Sequence, residues 1–343
     1  MTEHTTLYRK YRPSKFEEVL GQDHIVSVLE ASMKNKSIAH AYLFSGTRGT
    51  GKTSIARIFA DELGCATEDI YEIDAASNRG IDDIRELRDS VHTRPFNSPY
   101  KIYIVDEVHM LTKDAFNALL KTLEEPPAHV IFILATTEKD KILDTILSRC
   151  QVFDFKKPNQ NILRELAESI SEREGYKIDA GSLELVATLG DGSYRDLLGM
   201  LQKVMSYSAD KNITVDEAEK ITGAPSTKLV SDFLSSVAEG DIEKPIEIIS
   251  KLRDSGVSAK IFLQFVLNKF RYILLLRFSK SMHANLKEDL GEDEYKILSE
   301  LAGKNNKLNS ALLQKLLIAF REIPYSAIPY LPIELVLVGM KEE

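Results

Sequence analysis

The stretch that decides the fold is GTRGTGKT, residues 46–53, which matches the pattern G-x-x-x-x-G-K-[ST]. It stands between a short apolar run, AYLFS at 41–45, and a segment with apolar residues at helical spacing, TSIARIFADEL at 53–63. In a glycine-rich turn of this kind, backbone N–H groups converge on phosphate oxygens, and the following helix N-terminus adds a favourable dipole. The sequence therefore predicts a phosphate-binding loop between a strand and a helix.

The residue types in this loop indicate ATP with Mg²⁺ as the bound species. Lys52 is predicted to neutralise the β- and γ-phosphates, and the Thr53 hydroxyl is predicted to hold the magnesium ion. The predicted nucleotide contacts of the loop and the residue after it are Gly46, Thr47, Arg48, Gly49, Thr50, Gly51, Lys52, Thr53 and Ser54.

Short runs rich in β-branched and aromatic residues continue beyond the loop. Together with 41–45, they predict strands at 70–74, 101–106, 130–137 and 151–155. Amphipathic segments such as 81–91 and 112–125 separate these runs and predict helices. This alternation predicts an α/β core with a five-stranded parallel sheet and helices on both faces.

After Phe155 the patterns are helical only, and GAPST at 223–227 marks a boundary. We therefore expect a nucleotide-binding core over 1–158, an all-helical lid over 159–223 and an all-helical domain over 224–343, called the collar below. The apolar helix at 261–276 suits either a central core helix or a subunit interface, and its pattern does not separate the two.

An acidic pair, Asp106 and Glu107, follows the predicted strand KIYIV. Such a pair alone is more often a helix cap or a solvated turn, but its place downstream of a phosphate loop favours a functional role. Asp106 is predicted to ligate Mg²⁺, and Glu107 is predicted to orient and polarise the attacking water. His109 is interpreted as a structural hydrogen-bond partner and not as a catalyst.

Length and composition exclude several other classes of protein. A chain of 343 residues is expected to form two or three units, and its net charge of -8 decides little about partners. Cys65 and Cys150 are its two cysteines, too few for a disulfide framework or for a four-cysteine zinc site, so we expect no zinc. With no signal peptide and no apolar run of spanning length, the protein is expected in the cytoplasm, without a membrane partner.

The order of motifs adds a family resemblance. YRKYRP, VLGQDHI, GTRGTGKT, IDAASNRGIDDIREL, VDEVHML, NALLKTLEEPP, LATTEKDK, LSRC and GSYRDLL follow one another over about residues 7–200. This series resembles the AAA+ ATPases of sliding-clamp loaders, and among them is most similar to the gamma/tau family of bacterial DNA polymerase III. The resemblance implies a subunit that uses ATP to open a ring-shaped clamp and load it on primer-template DNA. The implied partners are delta and delta-prime type subunits, further copies of the chain, the clamp and DNA.

The resemblance also implies roles for individual residues. Thr137, with Thr136, corresponds to a sensor of the γ-phosphate, and Arg195 to a second sensor on the lid. Arg149 matches an arginine finger that reaches into the neighbouring subunit's ATP site. Tyr8 and Arg12, with residues 19–25, match the adenine pocket. Four residues, Asn78, Arg79, Arg85 and Arg88, lie where related loaders face DNA.

The chain departs from the family in one place. Family members usually carry a four-cysteine zinc module after the phosphate-loop helix, whereas residues 63–70 here pass directly across. The chain also ends near the expected end of the short gamma form, so the tau extension is not expected within it. The alternatives are a replication-factor-C-like small subunit, an ATP-inert subunit of the delta-prime kind, and another AAA+ DNA-remodelling motor. An intact loop argues against the second, and plain helices over 226–343 argue against the third.

Overall fold

The computed structural model describes residues 5–78, 80–208, 210–281, 283, 286–287, 290, 292–303 and 307–342. The chain forms two units. One consists of Met1–Ile162 with Gly192–Asp196, and the other of Leu163–Asp191 with Leu197–Glu343. The predicted division of the second part into a lid and a collar stays a prediction.

The first unit is built on a sheet whose neighbouring strands are all parallel. Its strands are β1 (Ala41–Ser45), β2 (Ile70–Asp74), β3 (Lys101–Asp106), β4 (Val130–Thr136) and β5 (Gln151–Asp154), in the spatial order β2-β3-β4-β1-β5. The predicted five-stranded parallel sheet is confirmed, with β4 and β5 each ending one residue earlier than expected. Since β4 lies between β1 and β3, the carboxyl ends of these three strands are close together at one edge.

Helices cover both faces of this sheet. They are α1 (Leu7–Lys10), α2 (Asp23–Lys34), α3 (Lys52–Glu62), α4 (Ile81–Ser90), α5 (Lys113–Glu124) and α6 (Asp144–Leu147). The Thr112 hydroxyl caps α5 by accepting the Ala115 N–H, and the helix ends before Pro126 and Pro127, as expected from the helix-breaking effect of proline.

Two apolar cores hold this sandwich together. Side chains alternate across the sheet, so Tyr103 and Val105 of β3 join one core, whereas Ile102 and Ile104 join the other. The first core also contains Leu87 of α4 and Leu119 of α5, and the second contains Leu29 of α2 and Phe59 of α3. Because both faces of the central strands are buried, β1, β3 and β4 are apolar almost throughout, which explains their strong sequence signal. The edge strands β2 and β5 also carry exposed polar residues.

The second unit is mainly helical, as expected. Its helices are α7 (Gln160–Arg173), α8 (Ala180–Gly190), α9 (Tyr194–Tyr207), α10 (Val215–Thr222), α11 (Thr227–Glu239), α12 (Glu243–Asp254), α13 (Ala259–Phe278), α14 (Glu292–Gly303), α15 (Ser310–Glu322) and α16 (Leu331–Glu342). The first residues of α7 and of α9 belong to the first unit. One feature was not predicted. Strands β6 (Lys177–Ile178) and β7 (Asn212–Ile213) pair in parallel, and two-residue strands are too short to leave a periodic signal.

The apolar helix α13 is a core helix. Phe262, Phe270 and Ile273 are fully buried, which favours the first of its two predicted interpretations. Instead, exposed apolar side chains lie on the last two helices and their connection. They include Leu317 and Ile318 of α15, Tyr325 and Ile328 of the connection, and Leu335 and Val338 of α16.

A buried carboxylate fixes the segment that enters β3. Asp69 is fully buried and accepts the backbone N–H groups of Phe96, Asn97 and Ser98 at 2.7, 3.2 and 3.1 Å. Burial alone would raise the pKa of Asp69, but hydrogen bonds from the Ser98 side chain and the three N–H groups outweigh it and lower the pKa. The ionised carboxylate therefore stabilises this turn.

We predict that Asp69→Asn lowers the free energy of unfolding by about 1–3 kcal/mol at pH 7, because the three N–H groups lose a charged acceptor. A lowered carboxyl pKa contributes stability above the unfolded-state pKa of about 3.9, and this contribution is lost as the pH falls through the folded-state value. The difference between wild type and variant should therefore shrink below about pH 4. Urea unfolding of wild type and variant, at pH 7 and below about pH 4, measures this difference in the free energy of unfolding.

The matched control is Asp140→Asn, because Asp140 is exposed. It should change the unfolding free energy by less than about 0.5 kcal/mol. Equal effects of the two substitutions at pH 7 would contradict the stabilising role of Asp69.

Candidate functional site

The predicted phosphate loop leaves β1 and enters α3 at the carboxyl edge of the sheet. Gly46 extends the sheet by donating its N–H to the Thr136 carbonyl at 3.2 Å. Its φ is +153°, and a Cβ added there would lie 2.7 Å from Phe155 Cβ, so a side chain does not fit. Inside the loop, the Thr50 hydroxyl donates to the Thr47 carbonyl at 2.9 Å. The loop is therefore a defined turn.

Lys52 is folded back onto this loop. Its ammonium group donates to the carbonyls of Gly46 and Thr47 at 2.7 and 3.0 Å, and the residue is 6% exposed. Burial lowers the pKa of Lys52, while Glu107 and Asp106 act in the opposite direction. A buried ammonium group whose hydrogen bonds go to neutral carbonyl oxygens lies in a site that suits an anionic ligand.

Thr53 and Asp106 meet directly. The Thr53 hydroxyl donates to Asp106 Oδ2 at 2.8 Å, which joins the start of α3 to the end of β3. A hydroxyl and a carboxylate are hard oxygen donors, and Mg²⁺ is commonly bound by one or two such protein groups together with phosphate and water oxygens. The two residues therefore fit the predicted magnesium site.

Glu107 lies at a sharp turn. Its backbone is left-handed, with φ +48°, and a short 3₁₀ turn, Val108–Met110, follows it. This conformation is uncommon for residues other than glycine and is often found at functional sites. Glu107 Oε2 accepts the Thr137 N–H at 3.2 Å and its hydroxyl at 2.9 Å. The predicted water-orienting carboxylate and the predicted γ-phosphate sensor are thus in direct contact.

Thr136 has different surroundings from Thr137. It is fully buried, and its hydroxyl oxygen accepts the Glu138 N–H and lies 3.0 Å from His109 Nδ1. The sequence did not separate the two threonines, because both end the same strand. Only Thr137 therefore binds the carboxylate of Glu107 among these two threonines, and its role as a γ-phosphate sensor stays a prediction.

The turn at the start of α9 packs on the phosphate loop. The Tyr194 N–H donates to the Gly49 carbonyl at 2.9 Å, and Arg195 follows directly. Gly49 has φ +77°, and a Cβ added there would lie 2.0 Å from the Ser193 hydroxyl oxygen. Ser193 is buried, and its hydroxyl accepts the Asp196 N–H. Neither Ser193 nor Tyr194 was singled out from the sequence, because this contact joins distant segments.

The predicted N-terminal nucleotide contacts lie at the same place. The Arg195 guanidinium carbon is 5.1 Å from the centroid of the Tyr8 ring. Arg12 Nε donates to the Ser54 hydroxyl at 3.0 Å, immediately after the loop. Burial, followed by the nearby charge of Arg57, lowers the pKa of Arg12. The structure therefore brings the N-terminal segment, the loop and the predicted second sensor together.

Arg149 lies apart from these groups. Its guanidinium donates to the Thr145 carbonyl at 2.6 Å and to Glu124 Oε1 at 2.7 Å. The Arg149 and Glu124 side chains are 32% and 50% exposed, so this is a surface ion pair of low stability. Among the residues that the structure describes, its hydrogen-bond and ion-pair partners do not include the phosphate loop.

The predicted DNA-facing residues are only partly described. Asn78 donates to the Asp74 carbonyl, and Arg88 pairs with neighbouring Asp89 on the surface. Arg79 and the side chain of Arg85 lie outside the described residues. DNA contact at these four positions stays a prediction.

Both cysteines have apolar surroundings. Burial raises the pKa of Cys65 to about 11 and that of Cys150 to about 12, so both thiols are protonated at pH 7. Cys65 donates weakly to the Tyr100 carbonyl.

Among the residues that the structure describes, no cluster of three or more histidine, cysteine or acidic side chains suits a metal ion. In the same described part of the chain, no helix meets the length and apolarity needed to span a bilayer.

Comparison with known protein families gives two matches along the chain. A family model described as "DNA polymerase III, delta subunit" matches residues 21–79 and 67–159. A second, described as "DNA polymerase III subunits gamma and tau domain III", matches residues 213–342. The two models together cover most of the core and the C-terminal helices.

Curated relatives agree with these matches. The chain is 41% identical over 315 residues to DNA polymerase III subunit tau of Bacillus subtilis, which covers 86% of this chain and 56% of that protein. It is 34% identical over 354 residues to subunit tau of Escherichia coli, covering 97% of this chain and 54% of that protein. The chain thus spans about half the length of these relatives.

Solved structures show a similar fold. The Thermotoga maritima RuvB Holliday junction branch migration motor aligns with a TM-score of 0.53 at 20% identity, covering 81% of this chain and 98% of that one. This likeness supports the predicted AAA+ architecture. At this identity it carries no argument about activity.

We predict that Gly49→Ala weakens nucleotide binding by at least about tenfold. The added methyl group collides with the Ser193 hydroxyl, and a left-handed φ strains alanine by about 1 kcal/mol. Both effects move the turn that carries Arg195 off the loop. Titration of a fluorescent ATP analogue measures the affinity.

The matched control is Gly64→Ala. Gly64 also has a positive φ, +78°, but a Cβ there meets open space away from the loop. The Gly64→Ala variant should have the same backbone strain as Gly49→Ala but keep the wild-type affinity for the ATP analogue. Equal losses in both variants would show that strain, and not the contact between Gly49 and Ser193, weakens binding.

Proposed function

Because the chain belongs to the DNA polymerase III gamma/tau family, we propose that it is the ATPase subunit of a replicative clamp loader, acting in the cytoplasm. It would use ATP binding and hydrolysis to open a sliding clamp and load it on primer-template DNA. Its partners would be delta and delta-prime type subunits and further copies of itself.

One observation carries this proposal. Lys52, the Thr53–Asp106 pair and the Glu107–Thr137 pair all lie at the carboxyl edge of three neighbouring strands, around one loop. They supply a phosphate-binding cation, oxygen ligands for a divalent ion, and a carboxylate for orienting water. These are the groups that ATP hydrolysis requires.

Phosphate binding begins with the loop. The backbone N–H groups of a glycine-rich turn and the N-terminus of α3 favour an anion, and Lys52 would exchange the Gly46 and Thr47 carbonyls for phosphate oxygens. Thr53 and Asp106 would hold Mg²⁺, which when bound neutralises charge on the phosphates. In this way the buried ammonium gains the ionic partner that it lacks among the loop carbonyls.

Glu107 would orient and polarise the water that attacks the γ-phosphate. Its carboxylate is held by Thr137, whose hydroxyl has one hydrogen to donate. When Thr137 donates that hydrogen to the γ-phosphate, Glu107 loses this hydrogen bond and becomes available to the water. When Thr137 binds the γ-phosphate, it therefore releases the Glu107 carboxylate at the same time.

Two arginines would couple the nucleotide to the assembly. Arg195 lies beside the loop of its own chain, whereas Arg149 is held on the surface by an exposed glutamate. A surface pair of this kind is broken at little cost, so Arg149 is free to enter a neighbour's site and stabilise transition-state charge. ATP binding would then favour one arrangement of adjacent subunits.

The C-terminal helices supply a candidate surface for assembly. The exposed apolar side chains of α15, α16 and their connection lie in the region matched by the gamma and tau domain III family. Apolar surface of this kind is typical of subunit interfaces. We propose that residues 224–343 form the collar that joins subunits.

The alternatives have less support. The branch migration motor shares the fold at only 20% identity. The intact loop argues against an ATP-inert subunit, and the 41% and 34% identities favour the gamma/tau family over a replication-factor-C-like subunit. The absence of a zinc module also stays a prediction from the sequence.

We predict that Lys52→Ala and Arg149→Ala each abolish turnover in the assembled complex, for different reasons. Lys52→Ala should weaken ATP binding by about 10- to 100-fold, since a charged hydrogen-bond donor is lost. Arg149→Ala should keep wild-type ATP affinity and reduce turnover by about a thousandfold. Steady-state ATPase rates and equilibrium nucleotide binding separate the two effects.

Mixing the two variants tests the trans assignment of Arg149. A subunit with Arg149→Ala retains its own loop, and a neighbour with Lys52→Ala can supply Arg149 to it, so mixed assemblies should recover part of the turnover. The control replaces the Lys52→Ala chain with the double variant, which can supply neither group. Equal rates in both mixtures would rule out a finger acting between subunits.

A further inference from the structure

His109 lies in a closed hydrogen-bond ring at the end of β4. Its side chain is 5% exposed. Nδ1 is 3.0 Å from the Thr136 hydroxyl oxygen, and Nε2 is 3.2 Å from Glu138 Oε1. The Glu138 N–H in turn donates to the Thr136 hydroxyl oxygen at 3.0 Å. The imidazole therefore contacts the residue before Thr137 and the residue after it.

The direction of each hydrogen bond follows from chemistry. An ionised carboxylate only accepts, so Nε2 carries the hydrogen that is donated to Glu138. With Nε2 as the donor to Glu138, we assign Nδ1 as the acceptor of the Thr136 hydroxyl, which in turn accepts the Glu138 N–H. These assignments satisfy all three groups at once. Lys141 also binds the Glu138 carboxylate, at 3.0 Å, and holds it from the solvent side.

The ring fixes the backbone on both sides of Thr137. Held in this way, Thr137 presents its N–H and its hydroxyl to the same oxygen of Glu107. His109 Nδ1 lies 3.4 Å from that oxygen, but its single hydrogen-bonding position is used in the shorter 3.0 Å contact with the Thr136 hydroxyl. Its effect on Glu107 is therefore exerted through Thr137.

We propose that His109 is a positioning residue for the γ-phosphate sensor. By closing the ring with Thr136 and Glu138, it keeps the Thr137 hydroxyl within reach of both Glu107 and a γ-phosphate. This inference rests on the proposed ATPase function. It predicts that loss of the ring weakens recognition of the γ-phosphate and slows hydrolysis, while the contacts of the loop with the other phosphates remain.

The test compares His109→Ala with His109→Gln in the assembled complex. Alanine removes both ring contacts, whereas a glutamine amide retains one acceptor and one donor on a planar group. His109→Ala should leave ADP affinity within about twofold of wild type, lower the ratio of ATP to ADP affinity by about three- to tenfold, and reduce kcat by about tenfold or more. His109→Gln should recover a large part of both losses.

Thr136→Val supplies an independent variant, because it removes the hydroxyl that links His109 to Glu138. It should reproduce the loss in kcat, and combining it with His109→Ala should add little, since both break one ring. The exposed His92 supplies the control, and His92→Ala should behave as wild type.

Several outcomes would overturn the role of His109. These are a wild-type kcat and affinity ratio in His109→Ala, a parallel loss of ADP affinity and thermal stability, or no recovery with glutamine. If the wild-type complex itself shows no turnover, the proposed ATPase function fails. The ratio of affinities for a non-hydrolysable ATP analogue and for ADP still decides whether His109 positions the sensor.

Discussion

The spatial order of β3, β4 and β1 is the constraint on which the site depends. Parallel pairing brings the carboxyl ends of all three strands to one edge, with β4 in the middle. The loop follows β1, the acidic pair follows β3, and Thr137 follows β4. This arrangement brings together the partners of two hydrogen bonds, from Thr53 to Asp106 and from Thr137 to Glu107. Apolar cores on both faces hold the strands in register.

In this structure, every main polar group of the site is engaged by another protein group. Lys52 binds loop carbonyls, Thr53 binds Asp106, and Glu107 binds Thr137. Ligand binding would therefore replace hydrogen bonds within the protein by hydrogen bonds to the ligand. Because one hydrogen bond is lost for each one gained, the net free energy of each replacement is small.

The sequence predicted the parts of the site that are local or strongly periodic. The loop at 46–53 has a residue motif, and the central strands β1, β3 and β4 have a strong apolar signal because both of their faces are buried. Contacts between distant segments could not be predicted. The packing of Ser193 on Gly49 and the ring around His109 depend on tertiary structure, and β6 and β7 are too short for a pattern. An apolar helix pattern likewise does not show what covers each face of the helix. It therefore does not decide whether α13 is a core helix or a subunit interface, and it does not predict the exposed apolar side chains of α15 and α16.

Clamp loading by this chain is tested most directly by the ATPase rate of the reconstituted assembly, which contains this chain and delta and delta-prime type subunits, measured with and without clamp and primed DNA. We expect a slow rate for the chain alone and stimulation when clamp and primed DNA are added together to the full assembly. Heparin at equal charge serves as the polyanion control. Equal stimulation by heparin, or stimulation of the isolated chain to the same rate, would contradict the clamp-loader mechanism.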